Sequence, residues 1–408
     1  MHVFVCSNAW LDAKYGVSLQ RYLLHECHVV AIYESAVSRQ FSTAAVNTII
    51  SVIRRVADVT SETSTRFVSL RSDFAEAIAN PSLRREIEVT RSQLFDSPFG
   101  EGQWGGRYLR APDIYHEFLD KAEQTGRTLQ DYATGERYLN TGGADGFFVL
   151  SDVAMIDENL ASVVSRSKEG QAAGFPTFKI ERRFLRPGWR RTDHPRLQID
   201  SPDCHVLAIP PDTDISRFEV RDYIRWGEEA GFHKRSVPKS QSPWWRPPLQ
   251  AQSGATILWL RTHADSHRCY FNPNRFVSLR FFRLHPNQED LGLPLLALLN
   301  SSVFALLKEI HGRRGLGQGA LETGLMDIMP LPVPKLESSV NDRLIAAVSP
   351  ILNRDVEKIR DERQLDDRHL LDSVVLEAYG LPVSVLTELY DELDSLIDMR
   401  HEKARNID

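Results

Sequence analysis

The sequence predicts an α/β opening unit, an α+β middle and a helical tail. Three observations carry that reading. Apolar runs at 3–6, 29–33 and 46–53 surround a segment, 16–25, whose Leu19, Leu23 and Leu24 share one helical face. Prolines recur from Pro176 to Pro248, which excludes long helices there. From Asn341 onward the apolar spacing is helical, as in Leu344, Ala347, Val348, Ile351 and Leu352.

In order, Val3-Phe4-Val5-Cys6 reads as a buried strand and Ser7–Trp10 as a turn. A helix over 16–25 follows, then strands at Val29–Tyr33 and Val46–Ile53. A strand–helix–strand order implies a parallel pair. Phe67–Leu70 reads as a strand, Asp73–Ala79 as a helix with Asp73 at its N-terminus, and Glu86–Leu94 as a strand. The turn formers of SPFGEGQWGG (97–106) mark a boundary. Leu291–Ile310 reads as one helix before a glycine-rich loop, and Leu331–Lys335 as an extended linker. The expected units are therefore 1–96, 97–335 and 336–408. In the last, amphipathic segments Leu370–Tyr379 and Ser384–Met399 are parted by Gly380-Leu381-Pro382.

At 408 residues, 42% hydrophobic and 25% charged, the chain can bury a sizeable core. No apolar run reaches the roughly 18 residues of a membrane span, and the N-terminus lacks the pattern of a signal peptide. Cys6, Cys27, Cys204 and Cys269 are scattered, which fits reduced thiols in a cytoplasmic protein. The net charge of −6 is unevenly spread. Residues 336–408 hold 17 acidic against 9 basic side chains, whereas 101–335 hold 28 against 30. A basic groove in the middle is thus compatible with an acidic chain.

Tyr223–Pro248, YIRWGEEAGFHKRSVPKSQSPWWRPP, interleaves Lys234, Arg235, Lys239 and Arg246 with Tyr223, Trp226, Phe232, Trp244 and Trp245. Cations and flat rings suit a nucleic-acid surface. The plainer alternative puts the rings in the core and the charges on a solvated face. Arg-Pro-Pro after the paired tryptophans places these on a loop.

The opening unit is half a fold: its strands and single helix cannot cover both faces of a doubly wound sheet, and an uncovered apolar edge strand invites aggregation. The remaining strands would come from further sequence or from another chain. VFVCSNAWLDAKYGVSLQRYLL and VVAIYESAVSRQFSTAAVNTIISVI resemble the back half of the catalytic domain of adenine-specific DNA methyltransferases, the gamma-class enzymes of type IIG restriction–modification proteins. Downstream, WGGRYLRAPDIYHEFL, NTGGADGFFVL, IERRFLRP, the 223–245 stretch and LLNSSVFALLKEIHGRRGLGQGALE resemble, in order, the family's target-recognition domain. The fold class so implied is an α/β remnant of a Rossmann-like methyltransferase sheet, then an α+β recognition domain and a helical C-terminal tail.

The resemblance implies N6-adenine methylation of double-stranded DNA with S-adenosylmethionine. It places the cofactor loop and the Asn-Pro-Pro-Tyr loop upstream of residue 1, so a missing or partner segment would bind the cofactor. Gly315–Ala320 does not follow a strand, and Phe271–Phe276 carries Asn274 and Arg275 where the catalytic loop needs proline and an aromatic. Phe41 falls where the family stacks an aromatic on the flipped adenine, which offsets the cost of unstacking. Asn8 and Trp10 set the turn and fill the core, or alternatively contribute to the base pocket. Lys234, Arg235, Lys239 and Arg246 are the expected DNA contacts. One of Trp244 and Trp245 packs while the other meets sugar or base, Arg313 and Arg314 hold phosphates or form a solvated turn, and Gly142, Gly143 and Asp145 shape a turn. No metal site is expected: His25–His28 are too close in sequence, and His263, His267 and Cys269 lack a fourth ligand. The rival functions are a standalone DNA-specificity subunit and an inactive truncated product.

Overall fold

The computed structural model describes residues 1–13, 15–37, 47–56, 63–72, 74–95, 104–125, 127–247, 251, 254–314 and 319–405. The fold is mixed α/β. Strands β1 (His2–Ser7), β2 (Cys27–Ser35), β3 (Thr48–Arg55), β4 (Ser64–Leu70) and β5 (Arg84–Thr90) form one sheet in the order β1-β3-β2-β4-β5. Helix α1 (Gly16–Glu26) joins β1 to β2 and buries Leu23 and Leu24, while Leu19, expected on the same buried face, is 41% exposed.

Two expectations about this sheet need correction. β1 and β2 are not paired: both run antiparallel to β3, which lies between them, and the parallel neighbours are β2 and β4. Nor is β1 buried: Val3, Phe4 and Val5 are 62%, 52% and 58% exposed, and β3 is its only strand neighbour among the described residues. The segment expected to be a strand through Leu94 is β5 followed by a short helix, Arg91–Phe95. Asp73 lies outside the described residues; the helix after it is Phe74–Ala79.

The sheet's core does not stop at residue 96. Trp104, Tyr108 and Leu109 belong to it, with Trp104 edge-on to both Trp10 and Phe67. Beyond it, helix α2 (Asp113–Thr125) starts a helical body. Residues 144–245 form a separate module with its own core. Antiparallel strands Val153–Met155, Leu160–Val164 and Thr177–Glu181 and a second small sheet pack with helix α3 (Val220–Glu229) around Phe147, Phe148, Ile180 and Tyr223.

The body is built from α2, a four-stranded sheet containing Ile257–Leu260 and Phe281–Pro286, and helices α4 (Gly292–Leu299), α5 (Ser302–His311), α6 (Ser338–Val348), α7 (Asp366–Ala378) and α8 (Leu386–Arg405). One core runs through all of it, from Ile114 and Trp259 to Leu344, Val375 and Leu396. The apolar faces of 336–405 are therefore buried against residues on the other side of the expected break at 335. The single helix expected over Leu291–Ile310 is two, α4 and α5, with axes at 71°. Asn300 makes the break: its Nδ2 donates to Cys269 O at 3.0 Å and its Oδ1 accepts from Cys269 N at 2.9 Å. Ser301 then caps α5, its Oγ accepting from Phe304 N at 3.2 Å. Among the described residues, no single helix is long and apolar enough to cross a membrane.

Two buried cations on α8 tie the parts together. Arg400 donates to Glu309 on α5 at 2.9 Å and to Ala264 O at 2.9 Å, and also bonds Gly319 O. Lys403 Nζ reaches Glu34 at 3.0 Å and Ser35 O at 2.8 Å, at the end of β2. Glu309 also accepts from His267 Nε2 at 3.1 Å. Burial alone would raise the Glu309 carboxyl, but His267, Arg400 and Arg314 bring it down to about 2.

The Glu309 pKa is depressed below its ordinary 4.5, so its stabilisation is complete above that value and is lost as pH falls towards 2. Glu309→Gln leaves Arg400 buried without its counter-charge, at a cost of roughly 3–5 kcal/mol. Urea unfolding at neutral pH and at pH 3 measures both effects, and the variant's deficit shrinks at the lower pH.

Candidate nucleic-acid interface and base pocket

Two concave regions gather chemistry-bearing side chains. The larger, a cleft of about 730 Å³, lies where the 144–245 module meets the body. Asn140, Thr141, Gly143 and Asp145 form one wall, and Arg261, Thr262, Arg268 and Tyr270 the other. Arg280 and Asp145 continue into an adjoining cleft of about 200 Å³ with Arg166, Ser165, Ser167 and Arg190. Arg268 is spent on the backbone, donating to His194 O at 2.9 Å and to Val356 O at 2.5 Å. Arg261 pairs with Glu322 and Arg166 with Asp152. Arg190 and Arg280 have no ion-pair partner among the described residues. Clustered arginines with serine and threonine hydroxyls match the donors that meet a phosphate backbone.

The 223–245 stretch flanks this cleft. Gly142 sits at φ +61°, and a Cβ there would meet Val237 N at 2.4 Å. Ser236 Oγ donates to Gly142 O at 3.0 Å, which locks the stretch to the Asn140–Asp145 wall. Lys234, Lys239 and Arg246 are exposed and unpaired among the described residues. Arg235 is also exposed but donates to Glu169 at 2.8 Å. The rings are placed otherwise than a nucleic-acid platform requires. Tyr223 is fully buried and stacks on Phe147 at 4.9 Å, and Phe232 is 1% exposed. Trp245 is 6% exposed in the same core. Trp244 is half-buried, its ring 4.7 Å from Phe147 and its Nε1 donating to Glu228 at 2.7 Å. Tyr223, Phe232 and Trp245 thus build the module's core, Trp244 packs against it with part of its ring exposed, and the cations lie on the outer face.

The second region, of about 350 Å³, lies at the carboxyl ends of β2 and β4, where open α/β sheets bind their ligands. Asn8, Glu34, Ala36 and Asn47 come from the sheet, Leu109–Asp113 from the segment leading into α2, and Glu392, Ser395, Leu396, Met399 and Lys403 from one face of α8. Arg71, Arg84 and Arg85 line its outer side. Asn8 Nδ2 donates to Glu34 at 2.9 Å. Burial alone would raise the Glu34 carboxyl; Lys403 and Arg110 hold it below the ordinary carboxylate range. Arg110 is fixed by Asp12 at 2.8 Å. Trp10 is buried in the sheet's core.

Phe41 lies outside the described residues, but Ala36 and Asn47, on either side of the undescribed segment 38–46, both line this pocket. Arg314 is no solvated turn residue. Its side chain is 12% exposed and pairs with Glu309 at 3.4 Å, and burial lowers its pKa to about 10. Arg313 is half-exposed and reaches Asp327 at 3.4 Å. Gly315–Gln318 lie outside the described residues. His263 and His267 are buried and stacked at 5.3 Å, and burial lowers the pKa of both; no cluster of three or more His, Cys, Asp or Glu that could hold a metal ion occurs among the described residues.

Sequence reasoning missed Glu34, Arg110 and Lys403, and also Arg71, Arg84, Arg85, Arg190 and Arg280. The one available signal was local: Arg71 and the Arg84-Arg85 pair bracket the helical connection between two strand-like runs.

No curated protein matches the chain. Among solved structures, it is similar to the type IIG restriction endonuclease BpuSI at 12% identity and TM-score 0.48, covering 99% of this chain and 47% of that one. It is also similar to the type IIL restriction-modification enzyme MmeI, solved in complex with DNA, at 14% identity and TM-score 0.49, covering 96% and 50%. The chain thus spans about half the length of these proteins. Residues 107–371 match the profile of the Type II methyltransferase M.Eco57I, C-terminal domain. That match covers more than half the sequence, and the chain belongs to this family as a C-terminal part of a type II methyltransferase.

Proposed function

We propose that this chain selects a DNA sequence and holds the target base for N6-adenine methylation in a restriction–modification system. The observation that carries the reading is the pairing of two sites on one framework. A cation-bordered cleft sits on the 144–245 module, and a polar pocket sits at the strand ends of the sheet. In this reading residues 1–96 are part of a Rossmann-like catalytic domain, 97–335 recognise double-stranded DNA, and 336–408 form a helical brace. Lys234, Lys239, Arg246, Arg235 and Arg313 meet the DNA from outside, the Asn8–Glu34 pocket receives the extruded base, and Phe41 is the stacking residue that the family resemblance implies. Arg314 and Trp245, both buried, act by support, and Trp244 is the partly exposed member of the adjacent pair.

S-adenosylmethionine belongs to a segment or partner chain that pairs with β1. The open outer edge of β1, with Val3, Phe4 and Val5 more than half exposed, supports this: an apolar strand with a free edge accepts another strand. The protein's own residues would bind DNA, present the base and exclude water, and the methyl group would come from the cofactor on the docked half.

The reading is tested by reconstitution with a chain that carries the cofactor turn and the Asn-Pro-Pro-Tyr loop, using duplex DNA and radiolabelled S-adenosylmethionine. Methyl transfer is expected only when both chains are present; transfer at an ordinary enzymatic rate by this chain alone would refute the split of labour. Phe41→Ala is expected to leave duplex affinity nearly unchanged, to lower methylation, and to weaken quenching of a fluorescent base at the target position. Lys234→Ala and Lys239→Ala should each weaken duplex binding and reduce the slope of log affinity against log salt by about 0.9 per phosphate contact removed. An unaltered slope in both would assign these side chains no DNA contact.

A further inference from the structure

We infer that the pocket at the strand ends has its own phosphate grip: Arg71, Arg84 and Arg85 hold a backbone phosphodiester of the nucleotide whose base enters the pocket. The inference rests on the base-pocket reading above and adds a second contact class to it.

The three arginines are brought together by the β4–β5 pairing. Arg71 directly follows β4, and the register sets Leu70 opposite Arg84 and Ser69 opposite Arg85. Arg71 N donates to Leu83 O at 2.7 Å and closes the connection at its base. The guanidinium groups therefore start from a sheet end, where position is better held than on a free loop. They line the same pocket as Asn8 and Glu34.

The other cations of this pocket are already committed. Arg110 pairs with Asp12, Arg314 with Glu309 and Lys403 with Glu34. Arg71 and Arg84 have no ion-pair partner among the described residues. Arg85 holds Asp113 at 2.6 Å, but the Asp113 side chain is 85% exposed. An exposed pair contributes little, so a phosphate can replace that carboxylate at small cost. Glu392 faces the arginines from α8; burial raises its pKa, against the pull of Arg71 and Arg85 and with the help of Glu388 and Asp113, so its hold on the arginines is weak. His116 nearby is driven to about 4, by burial first and then by Arg85 and Arg107, as expected in a positive field.

The ligand's chemistry follows. A planar guanidinium fork matches the two free oxygens of a phosphate, and several such forks favour it over a lone carboxylate. A volume of about 350 Å³ is on the scale of a small-molecule site and suits one nucleotide, not a duplex segment. A nucleotide swung out of its duplex carries its phosphates to the rim of whatever pocket takes its base.

The test uses the full chain, the double variant Arg71→Ala/Arg84→Ala and its charge-keeping counterpart Arg71→Lys/Arg84→Lys. Thermal unfolding of each controls for folding. Calorimetric titration compares deoxyadenosine 5′-monophosphate with deoxyadenosine, and salt titration follows a duplex with a mismatched 2-aminopurine. The intact chain is expected to bind the monophosphate about ten-fold more tightly than the nucleoside. The alanine pair should erase that preference and lower the duplex salt slope by about 0.9 per lost contact, while the lysine pair keeps most of the slope. Equal binding of nucleotide and nucleoside by the intact chain overturns the grip. So does an unchanged duplex slope in the alanine pair when the nucleotide preference is lost, which would assign the site to a free nucleotide. Lys234→Ala/Lys239→Ala separates the two readings: loss of duplex binding there, with nucleotide preference intact, leaves the recognition reading standing whatever Arg71 and Arg84 do.

Discussion

The geometry of both sites depends on two positive charges that helix α8 carries into the interior. Arg400 ends on Glu309 and on backbone carbonyls of the body, and Lys403 ends on Glu34 at the tip of β2. Such pairs are weak sources of net stability, because desolvation offsets much of their attraction. Their strength is in what they forbid. A buried carboxylate with a fixed cation cannot slide along the helix without leaving both charges uncompensated. The brace thus sets the distance between sheet and body, and the pocket at the strand ends is the space it leaves. Asn8, held by Glu34, and Arg110, held by Asp12, take their positions from the same arrangement.

This explains why the acidic balance of 336–408 is misleading when read from composition alone. Part of that charge is consumed internally: Glu362 accepts from Arg354 and Arg368, Asp372 accepts from Ser302 and Tyr390, and Asp394 faces Arg360 and Arg363. These acids hold the helices of the body to one another. They do not form a repulsive face towards a polyanion. The unpaired basic groups Lys234, Lys239, Arg246, Arg190 and Arg280 lie on or beside the 144–245 module, where their field acts outward.

What was legible in the sequence was local. The apolar runs of the first sheet and the amphipathic faces of the tail are visible residue by residue, and each became the expected type of element. The order of strands was not, because the placing of β3 between β1 and β2 is decided by pairing among segments distant in sequence, which no single run displays. The 223–245 stretch shows the opposite failure. Its composition fits a nucleic-acid platform and a core equally well, and Tyr223, Ile224 and Gly227 at helical spacing were the clue that its rings face inward on α3. Asn300-Ser301 carried a cap signal inside an unbroken apolar run, which the run's length concealed.

The pocket residues mark the limit more sharply. Lys403 and Glu34 are 369 positions apart, and Arg400 and Glu309 are 91 apart. No window of sequence contains both partners, and each residue alone reads as an ordinary surface charge. A buried ion pair becomes visible only when packing removes the water from both ends at once. The candidate pocket of this chain therefore lies where sequence reading is weakest: at contacts between units, made by charges whose partners lie in another unit. The same reasoning applies to the open edge of β1. Its apolar side chains read as core residue by residue, yet Val3, Phe4 and Val5 are more than half exposed, because exposure is decided by which neighbours the strand has and not by its own composition.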